Sequence, residues 1–302
     1  MKNMKGSLIL LLAAFLWGST FVAQTAASKS LGTFTYNASR SFVGAVFLSI
    51  VITIMSSSKK KTTDNKVTEK SKWPIAGGIA CGLVLFFAMG SQQFGIGLYP
   101  DGVAASGRSG FITAIYVVLV AVFEQFRGKK LHVLIILSVF GATAGMYFLC
   151  VSEGITSIYL GDVLELVCAL CFTMHILVVD KYKDTDSTKL SCLQFLVAGT
   201  LSLITAFITE TIAWSDIKTA IIPILYAGIL SSGVAYTLQM VGQKYAEPAV
   251  ASIVMSLESV FAVLTGWLVL SERMSGREFF GCVLVFASVI MAQVPEFLKK
   301  KE

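Results

Sequence analysis

The chain has 302 residues, of which 55% are hydrophobic and 14% charged, with a formal net charge of +6. A soluble domain carries about 25% charged residues, so the deficit excludes a disordered chain, a disulfide-stapled secreted domain and an ordinary cytosolic enzyme. What remains is a polytopic membrane protein, in which the unit of length is a span of about 20 apolar residues.

From the N-terminus, weakly charged stretches at 7–27, 33–55, 73–98, 102–123 and 131–151 read as five spans. Five more follow at 159–179, 190–209, 219–243, 249–270 and 279–294. The runs are continuous and not alternating, which excludes a transmembrane β-barrel. Each span must satisfy its own backbone hydrogen bonds in lipid, so the expected fold is all-α with ten transmembrane helices. Lys2 and Lys5 before an apolar run that closes on small residues have the outline of a signal peptide. That run, however, is long enough to span and has a counterpart later in the chain. The longest polar segment, 56–72, is rich in Ser, Thr and Lys and reads as a solvated loop.

The basic residues report topology. Of 24 Lys and Arg, 18 fall in segments that share a side with the N-terminus, and Lys29, Lys218, Arg273 and Arg277 lie on the other. Arg40 and Arg108 lie inside spans. By the positive-inside rule both termini are expected in the cytoplasm of a plasma-membrane protein. No nucleic-acid motif accompanies the charge, so no nucleic-acid partner is expected.

Internal similarity organises the chain. Gly6 and Gly161 each open a span at an offset of 155; Pro74 and Pro223 are 149 apart, and Pro100–Pro248, Glu124–Glu272 and Gly128–Gly276 are each 148 apart. Proline is tolerated in the first turn of any helix, but that does not explain matching offsets. The reading is two five-helix repeats, 1–153 and 154–302. Because five is odd, the second enters the membrane from the opposite side. Inverted repeats of this kind are a recurrent transporter plan, with the substrate site at the repeat interface.

Trp17-Gly18 in the first span, Arg40 in the second, the block from Pro100 to Glu124 ending in Arg127-Gly128-Lys129-Lys130, and the closing block from Pro248 to Glu272 with Gly276 resemble the EamA-type transporters of the drug/metabolite transporter superfamily. The resemblance covers essentially the whole chain. It implies ten transmembrane helices and export of small metabolites such as amino acids, and its diffuse motifs identify the family better than the cargo.

An ionisable group at the bilayer centre costs roughly 2.5–3.5 kcal/mol, so it faces a cavity or a partner. Arg40, Arg108 and Glu165 share one layer by distance from their span ends; Glu258 is near mid-membrane and His175 lies towards the N-terminal side. Two readings stand: an Arg–Glu pair that locks helices, or arginines that hold a carboxylate or phosphate through a bidentate fork while Glu165 or Glu258 meets a cationic amine or exchanges a proton. Asp162, Glu165, Phe172 and His175 share a helix face at spacings of three and seven, which would suit a half-polar pathway. Trp17, Thr20, Phe21 and Gln24 form a second stripe that either packs helices or lines a pocket. Tyr116 and Gln239 join Gln92, Gln93, Gln194 and Tyr236 as polar candidates, each equally readable as helix glue. The substrate-binding set expected from sequence is therefore Trp17, Gln24, Arg40, Arg108, Tyr116, Glu165, His175, Gln239 and Glu258.

Small residues of the ninth span, among them Ser252, Ser256 and Ser259, permit close helix approach and would suit a homodimer face. The six cysteines sit mostly in apolar spans, where cysteine is a small hydrophobe, and Cys168-x-x-Cys171 lacks the second ligand pair of a metal site. No metal or cofactor is expected. With no Walker loop, H-E-x-x-H or G-x-S-x-G, a secondary carrier of a small-molecule substrate leads, ahead of an integral-membrane enzyme and a channel or scaffold. The two roles of the arginines separate in one variant: Arg108→Ala is expected to abolish flux at normal membrane abundance, whereas a collapse in abundance on an immunoblot identifies a helix lock.

Overall fold

The computed structural model describes residues 2–62, 73–100, 105–150, 158–270 and 275–299. Every regular element among them is a helix. In chain order these are α1 (Lys2–Ser28), α2 (Thr33–Thr62), α3 (Ile75–Gly97), α4 (Ala105–Thr113), α5 (Tyr116–Phe126), α6 (Val133–Cys150), α7 (Leu160–Lys181) and α8 (Ser187–Thr209). Two short helices, α9 (Trp214–Thr219) and α10 (Ile221–Tyr226), lead into a π-helical segment, Ala227–Ala235. Then come α11 (Tyr236–Gln243), α12 (Pro248–Met255), α13 (Leu257–Leu270) and α14 (Gly276–Lys299). The expected repeat boundary at 153/154 and Glu272 lie outside the described residues.

Seven helical stretches are long and apolar enough to cross a membrane, and Val133–Phe148, Pro248–Ala262 and Phe279–Ala292 are shorter apolar helices. Their outer faces carry large exposed apolar side chains, such as Leu8, Leu12 and Phe15 on α1 and Phe279, Val283 and Ile290 on α14. Lipid is the solvent that makes such faces neutral.

Four stretches differ from the plain spans expected from hydropathy. The second helix continues past 55 to Thr62, because Ser and Lys keep helix geometry at little cost; Ser57 Oγ donates back to Thr53 O at 3.0 Å and Thr53 Oγ1 to Ser49 O at 2.8 Å. The fourth span breaks between α4 and α5, where Ile115 N bonds Ile112 O and Val117 N bonds Ala114 O in tightened turns. The ninth breaks at Ser256, whose hydroxyl donates to Ile253 O at 2.7 Å while Ser252 donates to Ala249 O at 2.8 Å. Serines bonding back to the preceding turn bend helices. The eighth widens into the π segment, a deformation that recurs at functional sites.

Packing pairs helices from the two halves. α6 lies along α14, α2 along α8, α3 against α7 and α8, and α1 against α13, the π segment and α11. Glycines set the closest crossings. A Cβ on Gly6 would stand 3.0 Å from Gly242 O, and one on Gly242 would stand 3.2 Å from Gly6 O. The same reciprocity joins Gly161 and Gly95, at 2.8 Å and 3.2 Å from each other's carbonyl oxygens. With no hydrophobic drive between helices in lipid, such backbone approach supplies the dispersion contact that holds them. At the end of α8, the Glu210 carboxylate accepts Phe34 N and Thr35 N, both at 2.8 Å, and Thr35 Oγ1 at 2.7 Å. It thereby caps α2, whose first N–H groups have no partner of their own.

The α1–α13 crossing is the tightest near the centre. A Cβ on Gly18 would meet Glu258 O at 2.6 Å and Ala262 N at 2.8 Å, backbone atoms that can yield only if a helix moves. Gly18→Ala is therefore expected to cost about 1–3 kcal/mol, the usual range for overpacking, seen as a lower melting temperature in detergent.

Candidate functional site

The crossings leave a polar cavity between the two halves, with about 50 Å³ of room for water-sized molecules. Half of its wall comes from the first half of the chain. α1 supplies Trp17, Thr20, Phe21 and Gln24, one helical stripe, and α2, α3 and α5 add Arg40, Gln92 and Tyr116. The second half answers with Phe172 and Ile176 from α7, Ser231 from the π segment, Tyr236 and Gln239 from α11, Met255 from α12 and Glu258 from α13. Both broken spans and the π segment thus end at this cavity, where altered helical geometry re-aims side chains that a regular turn would direct elsewhere.

Within the wall, Trp17 and Tyr236 meet edge to face with ring centroids 4.8 Å apart, and Tyr236 makes a second such contact with Phe195 at 5.2 Å. These packed rings hold a rigid aromatic side. Tyr116 Oη donates to Glu258 Oε1 at 3.4 Å. The Arg40 guanidinium stands 5.3 Å from the Tyr36 ring, a cation–π contact that stabilises a charge with little water around it. No ion pair to Arg40 exists among the described residues, and its Nε has no hydrogen-bond partner there. Trp17 Nε1, Gln24 Oε1 and Gln239 Oε1 are likewise buried and unpartnered. Two donors and two acceptors therefore line one cavity with unused capacity. Leaving such groups unmet costs about 1–3 kcal/mol each, so the cavity favours a polar occupant.

Six of the nine residues expected from sequence, Trp17, Gln24, Arg40, Tyr116, Gln239 and Glu258, line this cavity. Glu165 and His175 are fully buried but stand outside its lining. Glu165 Oε2 accepts Thr113 Oγ1 at 2.8 Å, and its Oε1 is the atom a Cβ on Gly95 would meet at 2.9 Å. His175 Nε2 is 2.9 Å from Gln194 Oε1, and its ring sits 5.8 Å from Tyr236, behind the aromatic wall. Arg108 belongs to α4, and its side chain lies outside the described residues. The face expected to run from Asp162 to His175 is divided among separate neighbours. Asp162 accepts Tyr99 Oη at 2.9 Å and Tyr159 N at 2.8 Å at the helix start, and only Phe172 reaches the cavity. Ile176, Ser231 and Met255 were not singled out from sequence. The first two had a readable signal: Ile176 stands 155 residues after Phe21, as Phe172 does after Trp17, and Ser231 lies between Gly228 and Gly233.

Comparison with known proteins places the whole chain. The model of the EamA-like transporter family matches twice, over residues 4–151 and 159–293. A protein of Archaeoglobus fulgidus named an uncharacterized transporter is 29% identical over 295 residues, covering 97% of this chain and 87% of its own. The uncharacterized transporter YoaV of Bacillus subtilis is 22% identical over 282 residues, with 91% and 92% covered. One crystal structure shares the fold at a TM-score of 0.77, with 17% identity and 96% and 98% of the two chains covered; at that identity the likeness speaks for the fold alone.

The His175–Gln194 contact predicts a measurable coupling. Replacing either residue by Ala is expected to cost about 1–3 kcal/mol, the range for stranding a buried polar group. The double variant should cost less than the sum by about 0.6 kcal/mol, the mean found for interhelical hydrogen bonds in membranes. Melting temperatures of the four proteins give the cycle.

Proposed function

Because the chain belongs to the EamA-like transporter family and is a multi-pass membrane transporter, we propose that it is a secondary carrier that moves small polar metabolites, with amino acids the best-suited class, outward across the plasma membrane by alternating access. Ten spans in two inverted halves, 1–153 and 154–302, with both termini cytoplasmic, are the frame of this reading.

Several features support the frame. The family model fits the chain in two consecutive copies. Residues at equal spacing, Trp17 with Phe172 and Phe21 with Ile176, line the same cavity, as do Gln92 and Gln239 at an offset of 147. Gly95 and Gly242 are also 147 apart, and their partners Gly161 and Gly6 are 155 apart, so the two reciprocal glycine crossings join equivalent positions. A cavity walled by equivalent residues from both copies is what a pseudo-symmetric carrier requires at its centre.

The observation that carries the cargo class is that one guanidinium, Arg40, and one carboxylate, Glu258, line a single cavity with aromatic rings between them in the wall. Arginine presents paired donors to a carboxylate, an acidic oxygen accepts from an ammonium, and Trp17, Phe21, Phe172 and Tyr236 offer apolar surface to what joins them. A zwitterion with a side chain matches all three.

The test is flux in proteoliposomes, with candidate compounds taken from the extracellular metabolites that rise when cells overproduce the protein and fall when they lack it. Arg40→Gln and Glu258→Gln each remove a charge-assisted hydrogen bond, about 1.5–3 kcal/mol, so half-saturation is expected to rise roughly ten- to a hundredfold at unchanged abundance. Flux that neither saturates nor shows countertransport rejects the carrier reading.

A further inference from the structure

A second recess lies apart from the central cavity, at the end of the bundle where α1 begins. It holds about 610 Å³ of space between the start of α6, the α11–α12 turn and α14. Its interior is apolar, with Ile135, Val250 and Ala292. Its rim is charged, with Lys129, Lys130 and His132 on one side and Glu247 on the other.

These rim groups are not equivalent. Lys129 Nζ is held by Glu124 Oε2 at 2.6 Å, and Arg127 occupies the other oxygen of that fully buried carboxylate at 3.1 Å. Lys130 is exposed and has no ion pair among the described residues. His132 Nδ1 accepts Leu134 N at 3.2 Å, so in the neutral ring the proton is on Nε2, a donor that the ring leaves facing away from the helix start. The rim therefore offers a free cation and a free donor beside the already paired Lys129. Next to it, Phe126 and Val133 are 85% and 60% exposed, as suits side chains immersed at the edge of a bilayer.

We propose that this recess is a binding site for an anionic phospholipid, with the headgroup phosphate on Lys130 and His132 and an acyl chain along the Ile135–Val250–Ala292 floor. Basic pockets between transmembrane helices hold anionic headgroups in this way. A soluble phosphate would use the rim but have no use for the floor; a neutral lipid would use the floor but have no use for the rim. Glu247 limits the attraction and disfavours heads of higher charge. The site does not depend on what the central cavity carries.

The test is native mass spectrometry of the purified full chain in detergent with equal phosphatidylglycerol and phosphatidylcholine. Retention of phosphatidylglycerol is expected to exceed that of phosphatidylcholine roughly fivefold, the equivalent of about 1 kcal/mol per basic residue near an anionic surface. Lys130→Gln with His132→Gln should bring the ratio close to one, and Glu247→Gln should raise it. Both rim positions are exposed, so folding is not at stake. Equal retention of the two lipids by the unaltered protein, an unchanged preference in the double variant, a ratio not raised by Glu247→Gln, or displacement of the lipid by glycerol phosphate overturns the proposal.

Discussion

A polar group inside a bilayer has no water to fall back on, and the arrangement of this protein follows from that constraint. Backbone groups are served within helices, and where helices break, at Ala114–Ile115 and Ser256, tightened turns and serine hydroxyls take over. Ionisable side chains follow the same rule with different partners. Glu124 is held by two cations at the bundle end, Glu210 by the first amides of α2, and Glu165 by Thr113. Arg40 and Glu258 stand apart from these, because each faces a cavity shared with the other.

The glycine crossings and the cavity are two sides of one packing solution. Gly6–Gly242 and Gly95–Gly161 bring helices of opposite halves into backbone contact, and Gly18 does the same for α1 and α13. Side chains excluded from those crossings are gathered between them. The stripe from Trp17 to Gln24 begins one residue before Gly18, so the helix that makes the tightest crossing also supplies four residues of the wall. Packing and site are therefore coupled through α1.

Much of the fold was legible, because apolar runs near 20 residues long have few alternatives in a membrane. The helix positions agree with the hydropathy to within a few residues for most spans. The breaks were not legible: Ser256 sits in a run that any hydropathy reading extends through, and a π turn differs from an α turn by a hydrogen-bond shift that leaves no mark in composition. The cavity was half legible. Arg40, Glu258, Trp17 and the glutamines are conspicuous by type in an apolar context. That same criterion also selected Glu165 and His175, which each bond one neighbour outside the wall, Thr113 and Gln194, and it passed over Ile176 and Met255, whose place in the wall depends on helix rotation.

The equivalent wall positions differ in kind: Trp17 has an indole N–H where Phe172 has none, and Phe21 is aromatic where Ile176 is aliphatic. The scaffold nearly repeats, while the chemistry on it does not. Any molecule seated between these walls meets distinct left and right sides, with acid and base at fixed places. A molecule turned end for end there would meet a different set of groups at every position.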